Sequence, residues 1–210
     1  MKQLQNILQS KKLVYISRDI ERVTGIPFET AGFFVITNET ITSKKLSAMH
    51  TNIICIQSDS HLDTHELLAH ERTAAWMSEH PDAQILVFKN SGRIERICSE
   101  YDWYLLNPSA TLANTVEQKI SQLEWLEDLT ELLPPHQVIT CTELTNEDIP
   151  CVVQFNHGHT GTGTIMLQDQ ATLQYLHKTF PNRPARVTNY IDGMMFTLNS
   201  VVAGTDVHTS

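Results

Sequence analysis

One segment, residues 150–167, limits the possible structure of this chain more than any other. Two short apolar runs, Val152-Val153 and Ile165-Met166-Leu167, flank a loop with three glycines and no acidic residue. This pattern predicts a β-hairpin with a glycine-rich turn. Glycine lets the backbone come close to a ligand, and successive backbone N–H groups can form a concave anion site. The loop therefore suits a polyphosphate, although an ordinary flexible hairpin has the same pattern.

The spacing of the loop glycines excludes the common phosphate motifs. The loop lacks the Gly-Lys-Ser/Thr ending of a P-loop, and the spacing of Gly158, Gly161 and Gly163 differs from G-x-G-x-x-G. Because a strand follows the loop, no helix N-terminus is available to bind the phosphate. A phosphate-binding role would therefore belong to a hairpin that closes over its ligand.

The order of features around the hairpin resembles the first half of an ATP-grasp fold. Lys119 lies early in a stretch with helical periodicity, residues 113–133, and a strand-like segment over residues 188–193 follows the hairpin. In ATP-grasp proteins a lysine on an early helix contacts the nucleotide phosphates. A glycine-rich flap closes over these phosphates, and a later strand holds the adenine and ribose. The resemblance covers residues 110–207.

The resemblance implies a set of nucleotide-binding residues drawn from the helix, the strand before the flap, the flap and the adenine strand. They are Lys119, Gln154, Gly158, His159, Thr160, Gly161, Thr162, Gly163, Asn189, Tyr190 and Ile191. The carbonyl of Asn189 is expected to accept from the adenine amino group, and the N–H of Ile191 to donate to the ring. His157 and His159 are either phosphate ligands or exposed loop residues.

Three positions depart from the family pattern. Gln154 replaces the lysine on the strand before the flap, and Thr188 and Met195 replace the two acidic residues of the adenine strand. A hydrogen bond to a charged group contributes about 1.5–3 kcal/mol, against about 1 kcal/mol for a neutral one. We therefore expect Lys119 to be the main cation for the nucleotide. We also expect Gln154→Lys to strengthen ATP binding by up to about 1–2 kcal/mol.

Two functions follow from the resemblance. The first is the N-terminal portion of an ATP-grasp enzyme, which uses ATP and magnesium to activate a small carboxylate as an acylphosphate. The acylphosphate is then ligated to an amine or another nucleophile. The magnesium ligands are expected beyond Ser210, so the chain is interpreted as truncated and not catalytic by itself. The second function is a non-catalytic nucleotide-binding or protein-interaction module with a degenerate ATP-grasp fold, which Gln154, Thr188 and Met195 favour.

The first half of the chain has a different organisation. Strands expected at residues 13–17, 33–37, 52–57 and 83–88 alternate with helices expected over 63–77 and 91–103. This alternation predicts an α/β fold with a largely parallel sheet. Residues 1–108 thus correspond to the Rossmann-like domain that precedes the grasp in the family. The break at Asn107-Pro108-Ser109 separates it from residues 109–210, the incomplete α+β ATP-grasp lobe.

Composition restricts the other partners. The net charge of −9 and the lack of any Lys/Arg cluster argue against nucleic acid. No segment approaches the ~18 apolar residues of a membrane span, and the N-terminus lacks the apolar core of a signal peptide. We therefore expect no membrane partner and a cytoplasmic protein. His61, His65 and His70 lack the H-E-x-x-H spacing, and the cysteines form no C-x-x-C, so no metal site is predicted. The substrate and the oligomeric state are left open.

Overall fold

The computed structural model describes residues 11–158, 163–194, 196, 198, 200–203 and 205–209. The chain divides into two compact units, Met1–Val116 and Glu117–Ser210. This division falls at the end of a helix, after the Asn107-Pro108-Ser109 break. The assignment of residues 1–108 and 109–210 to separate domains stays a prediction.

The first unit contains a five-stranded sheet in which every neighbouring pair of strands is parallel. Its strands are β1 (Leu13–Ser17), β2 (Phe33–Asn38), β3 (Ile53–Ile56), β4 (Gln84–Val87) and β5 (Tyr104–Leu105). The spatial order is β3-β2-β1-β4-β5, so the order reverses at the first strand, as in Rossmann-like domains. The predicted strands and the α/β fold class are confirmed.

The helices that pack against this sheet are α1 (Ile41–Met49), α2 (Thr64–Ala69), α3 (Glu71–Glu79), α4 (Gly92–Glu100) and the 3-10 helix Ile20–Val23. A further helix, α5 (Ala110–Glu117), follows β5 along the chain. The single helix predicted over residues 63–77 is wrong, because α2 ends at Ala69 and α3 begins at Glu71. His70 between them has extended backbone angles, and its ring accepts a hydrogen bond from the N–H of Arg72.

Both faces of the parallel sheet are buried. Successive strand residues point to opposite sides of the sheet, so each face contributes to its own apolar cluster. On one face, the strand residues pack against side chains of α2, α3 and α4, in a cluster that includes Val14, Ile16, Ile36, Ile85, Leu67, Leu68, Met77, Ile94 and Cys98. The opposite face packs against the 3-10 helix, in a cluster of Leu13, Phe33, Val35, Ile53, Ile20 and Val23. This double burial explains why the strands are near-continuous apolar runs in the sequence.

The second unit contains a four-stranded antiparallel sheet with the order β6-β9-β7-β8. Its strands are β6 (His136–Thr140), β7 (Cys151–Phe155), β8 (Thr164–Leu167) and β9 (Pro184–Asn189). Two helices, α6 (Ser121–Trp125) and α7 (Gln170–Thr179), accompany the 3-10 turns Glu127–Leu132, Cys141–Glu143 and Asn146–Asp148. Strands β10 (Ser200–Ala203) and β11 (Asp206–Thr209) form a separate antiparallel hairpin.

The long helix predicted over residues 113–133 is wrong. Helix α5 ends at Glu117, residues 118–120 form a turn, and α6 is followed by a 3-10 helix. The break arises because the backbone N–H groups of Lys119 and Ile120 donate to Asn156 instead of to the preceding helical turn. Lys119 therefore lies in a turn between helices. Within the described residues, no helix is long and apolar enough to cross a membrane.

Candidate functional site

The antiparallel sheet of the second unit has one buried and one open face. Buried residues of β7 and β9, such as Val153 and Val187, pack against Leu173 and Leu176 of α7. Strand alternation places the intervening residues on the other side. We call this side the open face; Gln122 of α6 contacts it, and its residues are His136, Val138, Thr140, Val152, Gln154, Thr164, Met166, Pro184, Arg186 and Thr188. Two of them are about half exposed, Val138 at 43% and Met166 at 46%.

Arg186 lies in the middle of the open face and is buried, with 8% of its surface exposed. Its cross-strand neighbour in register is Gln154. The oxygen Oε1 of Gln154 accepts from Nε of Arg186 at 3.1 Å and from Nη2 at 2.7 Å. The third hydrogen bond runs from Nη1 to Oε1 of Gln122, at 3.3 Å. Amide oxygens of two neutral side chains thus hold the guanidinium in place.

The charge of Arg186 has no opposite charge beside it. Burial lowers the pKa of Arg186, but an arginine stays protonated in proteins. In the part of the chain that the structure describes, none of the ion pairs involves Arg186. Arg186 is not among the residues predicted from the sequence. The available signal was an arginine on the expected adenine strand, combined with Gln154 where the resemblance implies a lysine.

The β7–β8 hairpin is present as predicted, and its closure requires glycine at one position. The N–H of Phe155 donates to the carbonyl of Gly163 at 2.8 Å, next to the last hydrogen-bonded rung of the hairpin. Gly163 has a φ of +89°, and a Cβ there would lie 2.9 Å from the carbonyl oxygen of His157. A side chain is therefore excluded by both conformation and space. Gly158 is half-buried, and the predicted ligands His159, Thr160, Gly161 and Thr162 lie outside the described residues.

Lys119 is held next to the start of this hairpin loop by its neighbours. The carbonyl of Asn156, the residue after β7, accepts from the N–H of Lys119 at 3.3 Å. The Asn156 side chain accepts from the N–H of Ile120 at 3.0 Å and donates to Oε1 of Gln118 at 3.2 Å. The structure thus brings Lys119 and the hairpin together, although not through the helix that the sequence predicts. The Lys119 ammonium has no ion-pair partner among the residues described.

The predicted adenine strand is shorter than expected. Strand β9 ends at Asn189, whose N–H donates to the carbonyl of Pro135 at 3.2 Å. Tyr190 and Ile191 follow it without regular structure and are 38% and 65% exposed. The backbone of these residues is therefore outside the sheet, where a ligand can reach it. Met195 lies outside the described residues.

A cavity of about 550 Å³ lies beside Asn189 and Tyr190. It is lined by Cys151 and Val187, which belong to the core side of the sheet, so it lies away from Gln154 and Arg186. The acidic residues Glu147 and Asp148 also line it. Carboxylates repel a polyphosphate, and we therefore take the open face, and not this cavity, as the candidate phosphate site.

Comparison with known proteins supports the fold. No protein-family model matches the chain, and no curated protein does. Among solved structures, L-amino acid ligase from Bacillus licheniformis matches 95% of this chain at 14% identity, over 49% of its own length, with a TM-score of 0.56. N5-carboxyaminoimidazole synthase from Aspergillus clavatus, solved with ADP, matches 95% of this chain at 14% identity, over 52% of its own length, with a TM-score of 0.54.

A third similar structure is biotin carboxylase from Campylobacter jejuni, which matches 87% of this chain at 14% identity, over 45% of its own length, with a TM-score of 0.59. The chain thus spans about half the length of the solved structures it matches. All three are ATP-grasp enzymes. The fold that the sequence resemblance predicts, a parallel α/β unit followed by the first antiparallel sheet of an ATP grasp, is confirmed.

Proposed function

We propose that this chain is the nucleotide-binding N-terminal portion of an ATP-grasp enzyme that activates a small carboxylate as an acylphosphate and ligates it to an amine or another nucleophile. The observation that carries the proposal is the arrangement of the second unit. There, a glycine-closed hairpin and the turn with Lys119 meet at Asn156, after the end of β7, and the exposed Tyr190 and Ile191 follow β9 of the same sheet. The matching Aspergillus clavatus structure, which contains ADP, supports it.

The residues of this chain would contribute binding and orientation. Phosphoryl transfer depends mostly on positioning the phosphates and stabilising their charge. In the proposed complex, backbone N–H groups of the hairpin loop and the Lys119 ammonium contact the phosphates. The backbone at Asn189 and Ile191 contacts the adenine. No group of three or more His, Cys, Asp or Glu that could hold a metal ion occurs among the described residues.

The proposal is tested by titration calorimetry of the 210-residue protein with ATP, ADP and adenosine. We expect ATP and ADP to bind more tightly than adenosine, because the phosphates add contacts. Lys119→Ala should weaken ATP binding about ten- to hundred-fold, the equivalent of one charge-assisted hydrogen bond of about 1.5–3 kcal/mol. Lys178→Ala, at the exposed end of α7, is the matched control and should change nothing. Absence of ATP and ADP binding at millimolar concentration would refute the proposal.

A second candidate function is a nucleotide-binding module without catalysis. It is favoured by Gln154, which carries no charge, and by Thr188, which stands where the family has an acidic residue. The two functions differ in turnover. The longest natural protein that contains this sequence should be incubated with ATP, magnesium and mixtures of amino acids, and ADP formation measured. Amine-dependent ADP formation supports the ligase, whereas ATP binding without turnover supports the module.

A further inference from the structure

We propose that Arg186 binds a phosphate group of the nucleotide, and so replaces from strand β9 the lysine that is missing at position 154 on strand β7. Gln154 is then a positioning residue that orients the guanidinium. This inference rests on the proposed function, because it names the cation of the same nucleotide site. Three observations support it: the cross-strand register of Arg186 and Gln154, the burial of Arg186, and the lack of an opposite charge beside Arg186.

The register of the sheet makes the exchange geometrically simple. Gln154 and Arg186 are direct cross-strand partners, and both lie on the open face. Side chains of such partners leave the sheet within about 5 Å of each other. A cation attached to β9 at residue 186 can therefore occupy the same part of the open face as a cation attached to β7 at residue 154.

Burial of the guanidinium indicates that an anion completes the site. A buried charge is costly unless it is both hydrogen-bonded and paired with an opposite charge. Arg186 is 8% exposed, and its three hydrogen bonds among the described residues go to the neutral oxygens of Gln154 and Gln122. A guanidinium has more N–H donors than these three bonds use. The remaining N–H groups have no hydrogen-bond acceptor among the described residues, and the proposed phosphate would supply both an acceptor and the opposite charge.

The chemistry of the surroundings favours a phosphate. Two parallel N–H groups of an arginine match the spacing of two phosphate oxygens, and the guanidinium is less strongly hydrated than an ammonium. Two residues beyond Gln154 along the chain, the carbonyl of Asn156 accepts from the N–H of Lys119, the other cation of the proposed phosphate site. No Asp or Glu occurs among the described residues of the open face to compete with the ligand.

The hydrogen bonds also explain why residue 154 is glutamine. Its oxygen accepts from two nitrogens of Arg186, which fixes the plane of the guanidinium. A lysine at this position would instead place a second positive charge against Arg186, and like charges at this distance repel each other. The structure therefore accommodates one cation and one amide at these two positions, and in this chain the cation is on β9 and the amide on β7.

The test exchanges the cation and the amide between position 186 on β9 and position 154 on β7. Dissociation constants for ATP and adenosine are measured by calorimetry for the 210-residue protein, Arg186→Gln, the double variant Gln154→Lys/Arg186→Gln, and the surface control Lys178→Gln. We expect Arg186→Gln to weaken ATP binding at least about ten-fold. Adenosine binding should be unchanged, because adenosine has no phosphate to contact the guanidinium. The double variant restores a cation from β7 and should recover ATP affinity to within about three-fold of the original protein.

Each result has a defined meaning. Equal ATP affinity in Arg186→Gln and in Lys178→Gln overturns the inference while the proposed nucleotide function stands. Equal weakening of ATP and adenosine indicates a purely structural role and also overturns it. If the original protein binds neither ligand, the proposed function itself fails. Melting temperatures show which variants fold, and should Arg186→Gln unfold, Arg186→Lys provides the test. Arg186→Lys keeps the positive charge but loses the two parallel N–H donors of arginine, so its ATP affinity should fall less than about ten-fold. A larger loss of ATP affinity, with adenosine binding unchanged, overturns the inference that the charge of residue 186 binds the phosphate.

Discussion

Asn156 should control both the local stability of the hairpin base and the position of Lys119. Its side chain accepts from the N–H of Ile120 and donates to Gln118, and its carbonyl accepts from the N–H of Lys119. Asn156→Ala removes the two side-chain hydrogen bonds and leaves the N–H of Ile120 without its acceptor. We therefore expect the turn over residues 118–120 to open more often and ATP binding to weaken.

The size of this effect follows from the two lost bonds. Each hydrogen bond contributes about 0.5–1.5 kcal/mol net, so their loss lowers the free energy of local opening by about 1–3 kcal/mol. This corresponds to amide exchange about five- to hundred-fold faster at Ile120. Asn156→Asp is the matched variant. It keeps the acceptor for Ile120, and the Gln118 amide can rotate to donate to it, so exchange should change little, whereas ATP binding should weaken because a carboxylate then lies beside the phosphates.

The assay is hydrogen exchange by mass spectrometry on a peptide covering residues 118–122, together with ATP titration of the same samples. The two variants should differ in whether amide exchange or ATP binding changes more. Alanine should accelerate exchange more than aspartate does, and aspartate should weaken ATP binding by charge even though the turn stays closed. Unchanged exchange at residues 119 and 120 in Asn156→Ala would refute the role of this side chain in holding the turn.

Three further perturbations test other parts of the structure. Gly163→Ala should lower the free energy of unfolding of the second unit by about 1–3 kcal/mol in urea, because of its positive φ and the close His157 carbonyl. The control Gly193→Ala, where a Cβ meets no atom within 4 Å, should have no such effect. Thr40→Ala removes the acceptor for the N–H of Ser43 at the start of α1 and should cost the first unit about 1 kcal/mol, as measured by thermal unfolding. Burial raises the pKa of Cys98 and of Cys151 to about 11, so both thiols should resist iodoacetamide at about pH 8 until urea is added. The folded protein then binds more protons than the unfolded one, and stability should fall as the pH rises from about 9 towards about 11.

The sequence predicts the strands of the first unit well, because residues buried on both sides of a parallel sheet leave continuous apolar runs. It predicts the helix breaks poorly. Apolar residues continue at helical spacing through the turn at residues 118–120, and what interrupts the helix is a contact with Asn156, far along the chain. Likewise, the predicted helix over residues 63–77 is interrupted at His70, where hydrophobic periodicity gives no stop signal.

The candidate site was predictable in part for a similar reason. The hairpin and its essential Gly163 are local features and appear in the sequence. The burial of Arg186 depends on β9 lying between β6 and β7, and chain order does not reveal sheet order. The pair also changes one expectation from the sequence. Because a lysine introduced at position 154 would face the Arg186 guanidinium, we now expect Gln154→Lys alone to destabilise the second unit, and to support ATP binding only together with Arg186→Gln.

The position of β9 also has a consequence for how the second unit assembles during synthesis. β9 is synthesised after β6, β7 and β8. Among the described residues, β9 is the only strand that pairs with β6, and it is the second neighbour of β7. The β7–β8 hairpin needs only a short loop to close, whereas β6 must wait for a strand distant in sequence, and such non-local pairing is slow. We therefore expect the hairpin to form before the complete sheet during synthesis. The face that carries Arg186 is then complete only after β9 has paired with both β6 and β7.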